Sequence, residues 1–155
     1  MKATDASHPP RAGERARIFA DLVVAADLSK WLGERALRDG GVDPYGFLFL
    51  AHLATLGAVA PTRLAAHLGM RRTTVRDALA VLEERGDVER IASPSDRRSQ
   101  LVQLTAQGRT AYERGAARLE EAAGEVEAAL GRPLDDVLRP LGQLTGVLRE
   151  RVRPE

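Results

Sequence analysis

Cysteine is absent from the 155 residues, which excludes disulfides, thiolate catalysis, cysteine-ligated zinc and thiol-based redox sensing. No apolar run reaches the roughly 18 residues of a membrane span. The opening MKATDASHPPRAGERAR lacks the apolar stretch of a secretory signal. A cytoplasmic chain without a membrane partner is expected. Histidine occurs three times, at His8, His52 and His67, with no His-x-x-x-His or Glu-x-x-His spacing, so no metal site is expected. There is no glycine-rich phosphate loop and no serine in a nucleophile elbow, so no catalytic residue or cofactor is expected and the chain reads as a non-enzyme. Lysine is scarce too. Of 23 basic residues only Lys2 and Lys30 are not arginine. Arginine's planar fork suits phosphates and base edges, although genome base composition produces the same bias.

What is present is ordinary for a folded domain: 44% hydrophobic, 29% charged, net charge +1. The charge is unevenly spread. Residues 61–109 hold nine arginines against six acids, whereas 110–155 hold seven against nine. The positive excess lies in the middle of the chain.

Residues 1–13 are polar, carry a Pro-Pro pair and read as a disordered tail. From Glu14 to about Asp39, apolar residues recur at helical spacing and predict one helix of roughly 40 Å, longer than a small domain needs. DPYGFLFLAHLATLG, 43–57, predicts a second helix with Asp43 as N-cap, Pro44 in its first turn and Gly57 closing it. Pro61 to Leu68 and Arg71 to Arg85 predict two short helices, ended by Gly69 and Gly86. The period then changes: Val88 with "IAS", and Leu101, Val102 and Leu104, predict two strands joined across Ser93-Pro94-Ser95-Asp96. Thr105 caps a long helix to about Leu130, whose seam Tyr112, Ala116, Leu119, Ala123, Val126, Leu130 repeats at 4, 3, 4, 3, 4, a heptad pattern that suits a partner helix. Pro133 restarts a last helix bearing Val137, Leu141, Leu144 and Leu148, which Pro140 should kink or split.

The central stretch carries the chemistry. A helix-turn-helix needs a small residue at the crossing, a glycine at the turn and an apolar anchor in the second helix; Ala65, Gly69 and Val75 supply them. The second helix then buries Val75, Ala78, Leu79 and Leu82 and exposes Arg71, Arg72, Thr73, Thr74, Arg76 and Asp77, the positions a recognition helix points at base edges. Arg63, on the first helix of the pair, joins them as a DNA-binding candidate. The hairpin that follows is placed as a wing over 93–100, with Ser95, Asp96, Arg97 and Arg98 at its tip. Arginine there suits the negative potential of a minor groove, Arg98 better than Arg97. Asp96 either caps the turn or pairs with an arginine guanidinium and aims it.

LEERGDVERIASPSDRRSQLVQLTAQGR, 82–109, resembles the signature of MarR-type regulators, in which L-E-x-x-G-hydrophobic-V-x-R leads into a D-x-R wing and L-T-x-x-G. Leu82, Glu83, Gly86, Val88, Arg90, Asp96, Arg98, Leu104, Thr105 and Gly108 match. The resemblance implies a winged-helix homodimer on a pseudo-palindromic DNA operator, with Asp96 orienting Arg98 in the minor groove. It also implies a small aromatic or anionic effector between the dimer and DNA lobes; Trp31, Tyr45, Phe49 and His52 are the ligand candidates, with a plain core role as the alternative. Asp87 departs from the pattern, where an apolar residue is usual, and is expected to loosen the start of the first strand. RRTTVRDAL resembles the recognition helix of GntR-type regulators instead, but their effector domain is missing.

The expected fold is mainly α with a small β-hairpin. A winged helix-turn-helix lobe spans 43–105, and a helical dimerisation lobe is built from both chain ends, 14–42 and 106–152. Ile18, Leu22, Tyr112, Leu119, Val126, Leu141, Leu144 and Leu148 are the dimer-interface candidates. The expected function is sequence-specific binding of double-stranded DNA as a homodimeric transcriptional regulator, a repressor released by a small ligand. A helical dimer with no DNA role is the alternative from a different class.

Overall fold

The computed structural model describes residues 13–38, 40–94 and 99–151. All but the last residue of the tail expected over 1–13 lies outside them, as do Ser95, Asp96, Arg97 and Arg98. The chain runs α1 (Glu14–Leu37), α2 (Pro44–Leu56), α3 (Pro61–Leu68), α4 (Arg72–Glu84), β1 (Val88–Ala92), β2 (Gln100–Leu104), α5 (Ala106–Leu130) and α6 (Asp135–Arg151). This is the mainly helical order with one hairpin that the sequence predicts.

Local chemistry sets most of the boundaries. Asp43 Oδ1 accepts from the Gly46 amide at 2.7 Å, satisfying a free donor of the first turn of α2. Thr105 Oγ1 does the same for α5, accepting from the Gly108 amide at 3.0 Å. Each such cap stabilises by about 1 kcal/mol. Gly69 stops α3 in the left-handed region, φ 67°, a conformation that costs a residue with a Cβ. The short turn that results swings α4 across α3.

The core gathers around α2. Phe49, Leu50 and Leu53 are buried in one cluster with Leu64 and Ala65 of α3, Val75, Leu79 and Leu82 of α4, Val88, Val102 and Leu104 of the hairpin and Ala111 of α5. The strands pair antiparallel from Val88 opposite Leu104 to Ala92 opposite Gln100. Val59, between α2 and α3, adds two further backbone bonds to Val102, at 3.0 and 2.9 Å. That bridge ties the hairpin to the helices and has no signal in the sequence, because a single residue has no period.

Pro140 does not split the last helix: α6 runs from Asp135 to Arg151 with the proline inside it. The ring sits in the second turn, and the carbonyl deprived of its donor belongs to Asp136, an exposed residue that water can serve. The helix buries none of its residues.

α1 and α6 leave large apolar side chains in solvent. Phe19 is 59% exposed, Val23 62%, Trp31 66% and Leu138 57%. α1 packs along α5 and α2, so Phe19, Val23 and Trp31 form its outward face.

The tightest packing lies where α5 meets the start of β1. A Cβ on Gly108 would stand 1.8 Å from the Asp87 carbonyl oxygen, with no flexible side chain to give way. Gly108→Ala is expected to destabilise the fold by about 3 kcal/mol or more, read from the urea midpoint; a midpoint equal to the wild type would contradict this packing.

Candidate nucleic-acid interface

The helix-turn-helix is formed by α3, the Gly69 turn and α4. Val75, Leu79 and Leu82 are buried and fix which side of α4 faces inward. Geometry then decides the rest, since successive residues step by about 100° around a helix. Arg72, Thr73, Thr74, Arg76 and Asp77 are all exposed, as is Arg71 just before the first turn and Arg63 on α3. The N-terminus of α4 has no side-chain cap, which leaves its first amides open to an anion such as a phosphate.

Arg76 and Asp77 interact with one another. Arg76 Nε and Nη2 donate to Asp77 Oδ1 at 3.1 and 3.0 Å. Both side chains are about two-thirds exposed, so the pair contributes little stability. Its effect is directional: it holds the guanidinium along the helix surface while leaving the other N–H donors free.

The hairpin root is clasped to α4 at two points. Arg90 of β1 makes a bidentate pair with Glu83, through Nε to Oε1 at 2.7 Å and Nη2 to Oε2 at 3.1 Å. Asp87 forms the second. Far from loosening the start of β1, it is 2% exposed. Its Oδ2 meets Arg85 Nε at 3.0 Å as an ion pair without the alignment of a hydrogen bond, and Gln107 Nε2 approaches its Oδ1 at 3.4 Å. The sequence offers one signal for this node, an acid where the pattern calls for an apolar residue. The expectation of a loosened strand fails because nothing in the linear pattern marks Arg85 and Gln107 as its partners. Ser95, Asp96, Arg97 and Arg98 lie outside the described residues.

The ligand candidates divide. Tyr45 and Phe49, ring centroids 5.5 Å apart and edge to face, line a groove of about 440 Å³ between α2 and α4 together with Asp77, Val81, Leu82 and Arg85. Phe49 is otherwise a core residue, with no exposed surface. Trp31 and His52 do not line this groove. Trp31 stands on the outer face of α1. His52 turns to His67. Among the described residues there is no group of three or more His, Cys, Asp or Glu that could hold a metal ion.

Of the dimer candidates, Ile18 and Leu141 are exposed, at 47% and 43%, and Leu22, Leu119, Val126, Leu144 and Leu148 are half-buried. Tyr112 stacks on Phe47 of its own chain at 5.7 Å and packs against the core.

A sequence model of the MarR family matches residues 41–99, from the α1–α2 turn through the hairpin loop. A search of curated proteins finds no match. Among solved structures, the transcriptional regulator MosR of M. tuberculosis in complex with DNA is 30% identical, with a TM-score of 0.67 over 84% of this chain and 96% of that one. The transcriptional repressor CouR bound to a 23-mer DNA duplex is 25% identical, TM-score 0.71, covering 91% and 99%. CouR from Rhodococcus jostii RHA1 bound to p-coumaroyl-CoA is 27% identical, TM-score 0.70, covering 89% and 93%.

His52 and His67 face one another edge to face at 5.3 Å. His52 Nδ1 lies 2.8 Å from the Leu48 carbonyl, which fixes it as the protonated nitrogen. Burial, then the charges of His52 and Arg149, hold the His67 imidazole below its usual value. The folded chain therefore takes up a proton here less readily than the unfolded one, so this contribution to stability is full above about pH 6.5 and is lost as pH falls below it. His67→Gln should flatten the urea midpoint between pH 7.5 and 5.5; an unchanged slope would remove His67 as its source.

Proposed function

The chain belongs to the MarR family of DNA-binding transcriptional regulators, and on that premise we propose that it grips a near-palindromic operator as a homodimer and represses by occupying it. The exposed face of α4 carries the reading. Its buried face is fully committed to the core, so Arg72, Thr73, Thr74, Arg76 and Asp77 are presented outward on a rigid element. That face enters the major groove, where arginine donates to guanine O6 and N7 and threonine meets a thymine methyl or a phosphate. Arg63 and Arg71 supply phosphate contacts. The hairpin reaches the adjacent minor groove, with Arg97 and Arg98 as the residues that enter it and Asp96 and Ser95 shaping the tip. The chain acts by binding rather than by catalysis, in the cytoplasm.

The outward apolar faces of α1 and α6 support the dimer. Side chains such as Phe19, Val23 and Leu138, more than half exposed in the lone chain, gain most by packing on a second copy. The Leu119 and Val126 edge of α5 contributes alongside Ile18, Leu22, Leu141, Leu144 and Leu148. Two copies related by a twofold axis would set their recognition helices about 34–36 Å apart, one turn of DNA. The groove beside α4 supports release by a small aromatic or anionic effector, with Tyr45 and Phe49 as its apolar wall.

Three variants test this. Arg76→Ala should change the sequence profile selected from a random duplex pool, while Arg98→Ala should weaken binding about tenfold without changing the selected core. An identical profile for the first, or unchanged affinity in a gel shift at fixed salt for the second, removes that residue from the interface. Ile18→Glu combined with Leu141→Glu alters two exposed positions and so should leave the protomer folded. Light scattering is expected to show half the wild-type mass, and a stable dimer would place the interface elsewhere.

A further inference from the structure

We propose that Asp87 is a positioning residue for DNA binding, whose buried carboxylate sets the angle of the hairpin against the recognition helix. The inference rests on the DNA-binding reading above and adds a residue that the α4 face does not include.

Residue 87 belongs to three elements at once. Its amide donates to the Leu82 carbonyl of α4 at 2.9 Å. Its own carbonyl accepts from the Thr105 amide at 3.1 Å, at the head of α5. Its neighbour Val88 begins β1. The side chain repeats that pattern. Oδ2 meets Arg85 from the end of α4, and Oδ1 meets Gln107 from the first turn of α5. The clasp continues outward, because Gln107 Nε2 also donates to the Arg85 carbonyl at 2.6 Å and Arg85 Nη2 donates to the Gly41 carbonyl in the α1–α2 turn. One carboxylate thus links the recognition helix, the hairpin, the long α5 helix and the turn that leads in from α1.

Stability does not account for an acid here. Asp87 is buried while its partner Arg85 stays a third exposed, so the pair must repay the desolvation of the carboxylate, and an apolar residue of similar volume often serves as well or better. The surroundings are suited to such a residue: Val88, Leu82 and Leu104 are buried close by in sequence or pairing. What an apolar side chain lacks is direction. The Asp87 carboxylate is held between two fixed points, the Arg85 charge at the end of α4 and the Gln107 amide on α5, and being tied to both limits the angle, whereas apolar contact tolerates rotation.

The angle matters because the hairpin is a lever. Strands of five residues reach roughly 17 Å, so a turn of about 10° at the root moves their far end by about 3 Å. A hydrogen bond to DNA tolerates only about 0.5 Å. The Arg90–Glu83 pair holds the outer side of the same root. With both clasps closed, α4 and the hairpin meet two neighbouring grooves as one rigid tool.

The test uses the full chain and a duplex selected by the wild type from a random pool. If no duplex is enriched, the DNA-binding reading itself fails. Given such a duplex, Asp87→Leu is expected to melt within a few degrees of the wild type and to bind at least about tenfold more weakly. Hydroxyl-radical protection should be kept over the two major-groove half-sites and disappear over the flanking minor grooves. The slope of log affinity against log salt should fall by about one for every phosphate that the variant no longer neutralises. Asp87→Asn, which keeps the shape but not the charge, should show the same footprint in weaker form, and it decides the matter if Asp87→Leu does not fold. Arg85→Leu should reproduce the effect, and the double variant should bind no worse than either single one. A wild-type footprint in the folded variants, or protection that fades evenly over both grooves, overturns the assignment.

Discussion

Val75 and Leu79 have no exposed surface, and Leu82 has almost none. These three side chains lie on one side of a thirteen-residue helix, and their burial in the cluster centred on Phe49, Leu50 and Leu53 leaves α4 no freedom to roll. Rolling by one position would place Arg76 or Thr74 in a core with no partner for it, at the cost of desolvating a charge or a hydroxyl. The direction of every polar group on the outer face follows from that. Apolar packing thus determines which residues α4 presents outward.

A second consequence concerns the rest of the chain. The main core cluster runs from Val42 to Ala111, while α6 buries nothing and α1 turns Phe19, Val23 and Trp31 to solvent. Those outward faces are the parts of the chain left for a second copy to cover.

Asp87 illustrates why a departure from a pattern is hard to interpret from sequence. An acid at an apolar position signals either a weak point or a partner nearby. The partners here are Arg85, two residues away, and Gln107, twenty residues away. Neither is marked by spacing or by type, and only the fold brings the three together. His52 and His67 become neighbours in the same way, across the loop between α2 and α3, and Tyr45 with Phe49 forms one wall of a groove whose other wall is α4. Trp31 shares their aromatic character but not their position.

The sequence by itself determined the order of elements and most of their ends. Helical and strand periods, the caps at Asp43 and Thr105 and the stop at Gly69 act within a few residues, so they are written locally. It also determined which residues α4 exposes, because three apolar anchors at helical spacing leave only one outward face. Only the tertiary structure decided that Pro140 is carried within α6, that Val59 is laced to Val102, that Tyr112 serves its own core, and that Asp87 is a clasp. The first rests on the exposure of Asp136 to water, and the others on contacts that packing chooses from many that the local pattern allows.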